Sequence, residues 1–164
     1  MERIKHKEYK YKTVSLFAGI GGFDIAFSNA GFDLIWANDF DKYCVETFKA
    51  NVSDNIILGD INDHLDDIPN HDILVGGFPC QPFSTLGKLK GFEDERGEVF
   101  FQLARIISQK LPRVIFIENV KNLVGHDNGN TYKVIRETLE SYGYHLKTMV
   151  LNACEYGNIP QNRE

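Results

Sequence analysis

The sequence contains few cysteines, no long apolar run and no excess of positive charge. Its three cysteines, Cys44, Cys80 and Cys154, form no CxxC pair, which argues against a disulfide framework and against a thiolate zinc site. Apolar runs such as VIFI at 114–117 are much shorter than the roughly 20 residues of a transmembrane helix. We therefore expect a protein of a reducing compartment that has no membrane span and no metal.

Charge is distributed unevenly along the chain. The net charge is −5, which by itself does not favour nucleic acid as a partner. Residues 1–12, MERIKHKEYKYK, carry five Lys and Arg against two Glu, whereas residues 54–72 are rich in Asp. We predict a basic N-terminal arm at 1–12, whose ordinary interpretation is a solvated, partly disordered tail. Because this arm lacks the apolar stretch of a signal peptide, we expect a cytoplasmic location, nucleoid-associated if the source is bacterial.

Short apolar runs alternate with helix-like segments along the chain. Strands are predicted at residues 13–17, 32–37, 55–58, 72–77, 113–119 and about 144–152. Helices are predicted at residues 23–30, about 41–50, about 99–107 and 131–142. Apolar strands joined by helices are typical of a mostly parallel, doubly wound α/β sheet with helices on each side. We predict that residues 13–164 form one such domain.

Two of the helices have an apolar face defined by residue spacing. The first face consists of Phe23, Ala26, Phe27 and Ala30. The second consists of Val99, Phe100, Leu103, Ile106 and Ile107. Both patterns repeat at the period of an α-helix, so we expect both faces to pack against the sheet. Gly31 and Gly143 are expected to end the first and the last helix.

Unusual residues follow almost every predicted strand. They are Phe17 to Gly22, Asn38 and Asp39, Asp60, Pro79 to Gln81, and Glu118 with Asn119. Ligands of parallel α/β sheets bind beyond the carboxyl ends of the strands. We therefore expect one site that is built from these segments.

The stretch FAGIGG at 17–22 indicates a cofactor that contains a nucleoside. Gly19 and Gly21 permit a tight turn and a close approach of the backbone, although a turn that needs glycine only for its backbone is the alternative. Such turns occur in proteins that bind NAD, FAD or S-adenosylmethionine. Asp39, about 20 residues further on, suits a ribose diol.

Further residues extend this pocket. Asp60 is suited to accept from an adenine amino group, or else it caps a helix or lies in a solvated loop. Phe17 and Phe40 are placed to sandwich a purine, unless they belong to the core. FAGIGG has no third glycine at the usual place for a dinucleotide, and this favours S-adenosyl-L-methionine as the cofactor.

The stretch GGFPCQPFS at 76–84 brackets one thiol with two prolines. Pro79 and Pro82 restrict the backbone on both sides of Cys80, which a buried structural cysteine does not require. Cys80 is therefore a candidate nucleophile, with a structural thiol as the alternative.

A nucleophilic thiol needs an acid or base partner. His71 precedes the fourth strand and His126 lies in a polar loop, so no histidine stands at a strand end. Glu118 does, and we expect it to be buried beside VIFI and to hold a proton at neutral pH. The alternative is that Glu118 pairs with an arginine or with a helix N-terminus.

Together a thiol, a carboxylic acid and a methyl sulfonium cofactor suggest one reaction. Carbon 5 of cytosine is too weak a nucleophile to accept a methyl group directly. Addition of a thiolate at carbon 6, with protonation at N3, converts the ring into an enamine that attacks the methyl group. Loss of the carbon-5 proton then expels the thiol.

From Thr13 to Glu164 the chain resembles the catalytic core of the cytosine-C5 DNA methyltransferases. FAGIGG, GDI, GGFPCQPFS, ENV and QNRE occur in the order and spacing of that family. The resemblance implies a Rossmann-like methyltransferase fold, Cys80 as nucleophile, Glu118 at the amidine edge of the base and Arg163 in the cytosine pocket. The implied cofactor contacts are Phe17, Gly19, Gly21, Asp39, Phe40, Asp60, Ile61 and Pro79. In the family a loop closes over a flipped-out base, and its implied DNA contacts here are Ser84, Lys88, Lys90 and Arg96.

The resemblance also indicates partners and alternatives. The expected substrate is double-stranded DNA, and the family's target-recognition domain and final motif are not found in these residues. A second chain is expected to supply that domain if this chain is one part of a split enzyme. The alternatives are the same chemistry on cytosine in tRNA, a subunit inactive without its partner, a non-catalytic binding subunit and an NAD-dependent enzyme.

Overall fold

The computed structural model describes residues 11–78 and 98–156. The basic arm, apart from Tyr11 and Lys12, and the predicted site residues between 79 and 97 lie outside the described residues, as does Arg163. The chain divides into two compact units, residues 1–120 and 121–164, which are treated separately below. That residues 13–164 form one domain stays a prediction.

The first unit is built on a five-stranded, wholly parallel sheet. The strands are Lys12–Leu16 (β1), Asp33–Asp39 (β2), Ile56–Leu58 (β3), Ile73–Gly77 (β4) and Val114–Glu118 (β5). Their order in the sheet is β3-β2-β1-β4-β5. The helices of this unit are Gly22–Asn29 (α1), Lys42–Asn51 (α2) and Glu98–Lys110 (α3). The predicted parallel, doubly wound sheet is therefore confirmed.

The core of the unit lies around β1. Residues 13 to 16 are all buried, so both faces of this central strand are covered. The strand order runs outward from β1 in both directions. Because crossovers between parallel strands are almost always right-handed, this order implies that α1 and α2 cover one face and α3 covers the other. The predicted stripe of α3 is confirmed, since Phe100, Leu103, Ile106 and Ile107 are buried.

A bulge interrupts the pairing of β1 with β2. Thr13 pairs with Leu34, but Val14 pairs with Trp36, so Ile35 is an extra residue on β2. Beyond the bulge the register continues to the ends of the strands, where Leu16 pairs with Asn38. Because side chains alternate between faces, one extra residue reverses the direction of every later side chain of β2.

The buried face of α1 differs from the prediction. Phe23 and Phe27 pack edge-on against Phe116 of β5, whereas Ala26 and Ala30 are exposed. A helix of only 8 residues has few positions against the sheet, and its buried residue is Asp24. Periodicity missed Asp24 because a carboxylate is not scored as a core residue.

Asp24 is a buried acid with one hydrogen-bond partner among the described residues. The hydroxyl of Ser15 donates to Asp24 Oδ2 at 3.1 Å, while Oδ1 has no partner within that part of the chain. Burial raises the pKa of Asp24 from an ordinary 3.8 to about 6, against smaller opposing effects of the Ser15 hydrogen bond and of the residue's own backbone N–H. The pair connects β1 to the first turn of α1.

Both predicted glycine stops are confirmed. Gly31, with φ +90°, follows α1, and Gly143, with φ +92°, follows the last helix. In each case the glycine N–H and the next N–H bond back into the final turn, as in a Schellman motif.

The second unit contains Asn130–Ser141 (α4) and irregular segments. Thr131, Ile135 and Leu139 form the buried face of α4. The predicted sixth strand at 144–152 is wrong, because these residues pair with no strand of the described chain. Met149, Val150 and Leu151 are each about 60% exposed. A β-prone sequence forms a strand only where a neighbouring strand satisfies its backbone.

Within residues 11–78 and 98–156, none of the helices has the length and apolar character needed to cross a membrane.

We predict that Asp24→Asn makes the free energy of unfolding depend less on pH. Because the folded protein holds this proton more tightly than the unfolded chain, wild-type stability falls as the pH rises from 3.8 through about 6. The variant lacks this loss and should be more stable by roughly 1–3 kcal/mol at neutral pH. Urea unfolding at about pH 4 and about pH 8 measures the difference. Asp54→Asn, at an exposed position, is the control for loss of charge. An unchanged pH dependence in Asp24→Asn would contradict the assignment.

Candidate functional site

The carboxyl ends of the strands meet at one edge of the sheet. Leu16 of β1 pairs with Asn38 on one side and with Gly76 on the other. Gly77 pairs with Glu118 at the ends of β4 and β5. The described strand-end residues that the sequence singled out therefore gather at a common edge, as expected for a parallel sheet.

The glycine turn after β1 has three left-handed residues. Phe17, Gly19 and Gly21 have φ values of +54°, +57° and +91°. The Gly21 N–H donates to Ala18 O, and the Ala18 N–H donates to Asn38 O, each at 3.0 Å. The turn is thus tied to the end of β2. Phe17 is the residue for which this conformation is strained, because its side chain disfavours a positive φ.

The two glycines of the turn face different surroundings. A Cβ on Gly19 would meet no atom of the described chain within 4 Å, so this position borders open space. A Cβ on Gly21 would lie 2.6 Å from Val52 Cγ2 and 2.9 Å from Phe48 Cδ2. Gly21 therefore serves the packing of α2, and Gly19 leaves room for a ligand at the backbone.

Asp39 clamps the turn. Its Oδ2 accepts from the Gly19 N–H at 2.7 Å, and its Oδ1 accepts from the Asp41 N–H at 2.8 Å. The residue is 6% exposed. A carboxylate has about four acceptor sites, so these two bonds leave acceptor capacity for a ribose hydroxyl.

Asn38 is a positioning residue that the sequence did not assign. It is 1% exposed, and its Nδ2 donates to the carbonyl oxygens of Ile57 and Gly59 at 3.1 and 3.0 Å. These bonds hold the segment after β3 against the end of β2. An amide at the end of a buried strand is the sequence signal, since a buried amide must find acceptors.

The segment after β3 carries two predicted contacts. Asp60 Oδ1 accepts from the Asn62 N–H at 2.8 Å and caps the short 3₁₀ helix Ile61–His64. The alternative of a cap is thereby confirmed, and a contact with adenine stays a prediction. Ile61 is buried at 3% exposure, while the ring of Phe40 is 77% exposed. An exposed phenylalanine ring offers a face to a flat, partly apolar ligand such as a nucleoside.

Glu118 is exposed, and the expectation that it is buried is wrong. Among the described residues β5 has a strand neighbour on one side only, so its outward-facing residues stay accessible. The carboxylate nevertheless has a defined place, since a Cβ on Gly77 would lie 3.2 Å from Glu118 Oε2. Gly77 provides the space that this carboxylate occupies above the end of β4.

Seven predicted site residues lie outside the described part of the chain. They are Pro79, Cys80, Ser84, Lys88, Lys90, Arg96 and Arg163. Of the other cysteines, Cys154 is exposed and Cys44 is half-buried. Burial, followed by the nearby carboxylates of Asp39 and Asp41, raises the pKa of Cys44, and a raised pKa opposes nucleophilic activation. No group of three His, Cys, Asp or Glu within 11–78 and 98–156 is arranged to hold a metal ion.

The parallel sheet, its glycine turn and the clamping acid define an α/β fold of the nucleoside-cofactor class. A crystal structure of the S. pombe Dnmt2 methyltransferase has the same fold, with a TM-score of 0.61 and 23% identity over 78% of this chain and 42% of that one. The predicted methyltransferase fold is confirmed.

Sequence comparison gives the family. The model of the C-5 cytosine-specific DNA methylases matches residues 11–164. The Type II methyltransferase M.Bsp6I of Bacillus sp. is 56% identical over 92% of this chain and 49% of its own length. The Type II methyltransferase M.HhaI of Haemophilus parahaemolyticus is 47% identical over 100% of this chain and 50% of its own length. This chain belongs to the C-5 cytosine-specific DNA methylase family, and it spans about half the length of these curated relatives.

Because Gly19 and Gly21 have different surroundings, we predict that their substitution by alanine lowers the free energy of unfolding by different amounts. Gly21→Ala should destabilise the fold by roughly 2–5 kcal/mol, because overpacking adds to the strain of a left-handed residue. Gly19→Ala should cost only roughly 1–2 kcal/mol, because strain is the sole contribution. Denaturant unfolding of the two variants beside wild type measures both values. Equal destabilisation would contradict the packing role assigned to Gly21.

Proposed function

We propose that this chain forms the cofactor-binding and catalytic part of an enzyme that methylates carbon 5 of cytosine in double-stranded DNA. The observation that carries the proposal is the place of Glu118. Its carboxylate lies over Gly77, and the chain continues from Gly77 through Phe78 and Pro79 to Cys80. The acid thus lies beside the strand end from which the sequence reaches the candidate nucleophile three residues later.

S-adenosyl-L-methionine fits the residues at the ends of β1, β2 and β3. Open space at Gly19 admits a ligand to the backbone, and the exposed ring of Phe40 offers a face for adenine. Asp39 would accept from the ribose while it holds the turn, and Phe17, Gly21, Asp60, Ile61 and Pro79 complete the proposed contacts. When bound, the cofactor supplies the methyl group that carbon 5 of cytosine accepts.

The chain's own residues activate the base in this proposal. The Cys80 thiolate forms a bond to carbon 6, and Glu118 provides the proton that N3 gains, with Arg163 lining the pocket. The electron pair then moves toward carbon 5, which becomes nucleophilic. Loss of the carbon-5 proton to water, departure of the thiolate from carbon 6 and return of the N3 proton to Glu118 restore the aromatic ring. Exposure of Glu118 leaves its carboxyl accessible to a base that enters from solution.

The proposed partner is double-stranded DNA, with Ser84, Lys88, Lys90 and Arg96 as contacts. The relatives M.Bsp6I and M.HhaI are Type II methyltransferases, and the matched family is that of the C-5 cytosine-specific DNA methylases. A second chain with a target-recognition domain stays a prediction, as does a cytoplasmic location. Methylation of cytosine in tRNA is the alternative substrate.

We predict that the chain binds S-adenosylhomocysteine and that Asp39→Ala abolishes this binding. The variant loses both the clamp on the glycine turn and the acceptor for ribose. Gly19→Ala should also weaken binding because its methyl group enters the open space. Isothermal titration calorimetry measures both effects, with Asp54→Asn at an exposed site as the matched control. Saturable binding of NADH, with none of S-adenosylhomocysteine, would contradict the choice of cofactor.

The catalytic assignment predicts covalent capture of an oligonucleotide that contains 5-fluorocytosine. The reaction contains S-adenosyl-L-methionine, because thiolate addition by itself is reversible. Once carbon 5 is methylated, its fluorine cannot leave as a proton does, so the adduct with Cys80 should persist in denaturing gels. Cys80→Ser should form none, and Glu118→Gln should form it about 10²–10⁴-fold more slowly because a general acid is lost. Cys154→Ser is the matched thiol control. Capture of RNA in preference to DNA would favour the tRNA alternative, and capture by Cys80→Ser would contradict the assignment.

A further inference from the structure

The side chain of Asn119 connects the ends of β4 and β5. Its Nδ2 donates to the carbonyl oxygen of Phe78 at 2.6 Å. Its Oδ1 accepts from the N–H of Val120 at 2.9 Å. The two bonds use opposite ends of the amide, so each supports the orientation that the other requires.

This contact continues the sheet by one residue beyond its backbone ladder. The last pair of the ladder is Gly77 with Glu118, and the next residues along the strands are Phe78 and Asn119. At that position a side-chain amide bonds the carbonyl of the neighbouring strand. The ring of Phe78 is itself anchored, since the residue is 5% exposed and packs on Phe100 with 5.6 Å between ring centroids.

The carbonyl of Phe78 belongs to the peptide bond that leads into Pro79. Fixing the direction of this carbonyl fixes ψ of Phe78, which a following proline already restricts. The pyrrolidine ring fixes φ of Pro79 near −65°. With the ordinary trans form of both peptide bonds, covalent geometry leaves ψ of Pro79 as the one open backbone angle before the Cα of Cys80.

We propose that Asn119 is a positioning residue, which aims Cys80 by holding the Phe78 carbonyl. It also fixes the residue directly after Glu118, so one amide sets the relative places of the nucleophile and the acid. This inference rests on the proposed function, because it assigns Asn119 a role in the attack of Cys80 on the base. Misplacement of a reacting group by about 1 Å can reduce a rate by about 100-fold.

Asn119→Asp tests the bond with almost no change of shape. In the variant a carboxylate oxygen replaces the Nδ2 that lies 2.6 Å from the Phe78 carbonyl oxygen. Two acceptor oxygens repel each other at this distance, so the hydrogen bond is lost. The rate of capture of the 5-fluorocytosine oligonucleotide should fall by about 10- to 100-fold, while the affinity for S-adenosylhomocysteine stays that of wild type. A protonated carboxyl donates again, so the ratio of the variant rate to the wild-type rate should rise as the pH falls. For Asn119→Ala this ratio should stay low at every pH.

The matched control is Asn51→Asp at the end of α2. Asn51 Nδ2 also donates to a backbone carbonyl, that of Thr47 at 2.8 Å, so the change of donor and of charge is the same. This variant should capture the oligonucleotide as fast as wild type. The sequence contains a single Phe–Pro peptide bond, so labelling with carbonyl-¹³C phenylalanine and ¹⁵N proline isolates the Phe78 carbonyl in NMR spectra. Its resonance should move upfield in Asn119→Ala, as expected for a lost hydrogen bond.

The outcomes separate this inference from the function on which it rests. Capture by wild type together with slow, pH-rescued capture by Asn119→Asp supports both. Equal capture by wild type and Asn119→Asp, or an unmoved Phe78 resonance in Asn119→Ala, overturns the role of Asn119 and leaves the proposed function standing. No capture by wild type, even when a target-recognition domain of the family is added in trans, overturns the proposed function, and the role of Asn119 falls with it.

Discussion

The hydrogen bond between the Gly19 N–H and the Asp39 carboxylate joins two strand ends that are 20 residues apart in sequence. Parallel pairing alone brings the ends of β1 and β2 to one edge, but it leaves the connecting turn free to adopt many shapes. The carboxylate selects one of them, in which Phe17 accepts a strained conformation and Gly19 borders open space. Among the described residues, the geometry of the proposed cofactor site depends on this one hydrogen bond.

Amides perform the same task at the neighbouring strand ends. Asn38 holds the segment that follows β3, and Asn119 holds the residue that follows β4. Amides suit this use because they are neutral and can donate to a carbonyl while they accept elsewhere. Each side chain therefore fixes backbone beyond the last ladder pair, in the segments that lead to the proposed site residues. Because an amide is neutral, it does so without the cost of burying a charge.

The sequence allowed the sheet and its helices to be predicted, because the apolar runs of β1 to β5 and the stripe of α3 are periodic and long enough. The segment at 144–152 misled because a strand requires a partner that local composition does not reveal. Glu118 was wrongly expected to be buried, since burial depends on whether an adjacent strand covers β5. The second role of Asp39, as a clamp, was not predictable because hydrogen bonds between remote residues depend on the tertiary fold.

The bulge at Ile35 shifts the alternation of side chains along β2 by one residue. Its opening residues follow one alternation of side chains, and its closing residues follow the other. If β2 ran straight through, Asn38 and Asp39 would exchange directions. The amide would then face the Gly19 turn, and the carboxylate would face the carbonyl oxygens of Ile57 and Gly59, where acceptor meets acceptor. The bulge near the beginning of β2 thus determines that Asp39, and not Asn38, faces the glycine turn at the end of the strand.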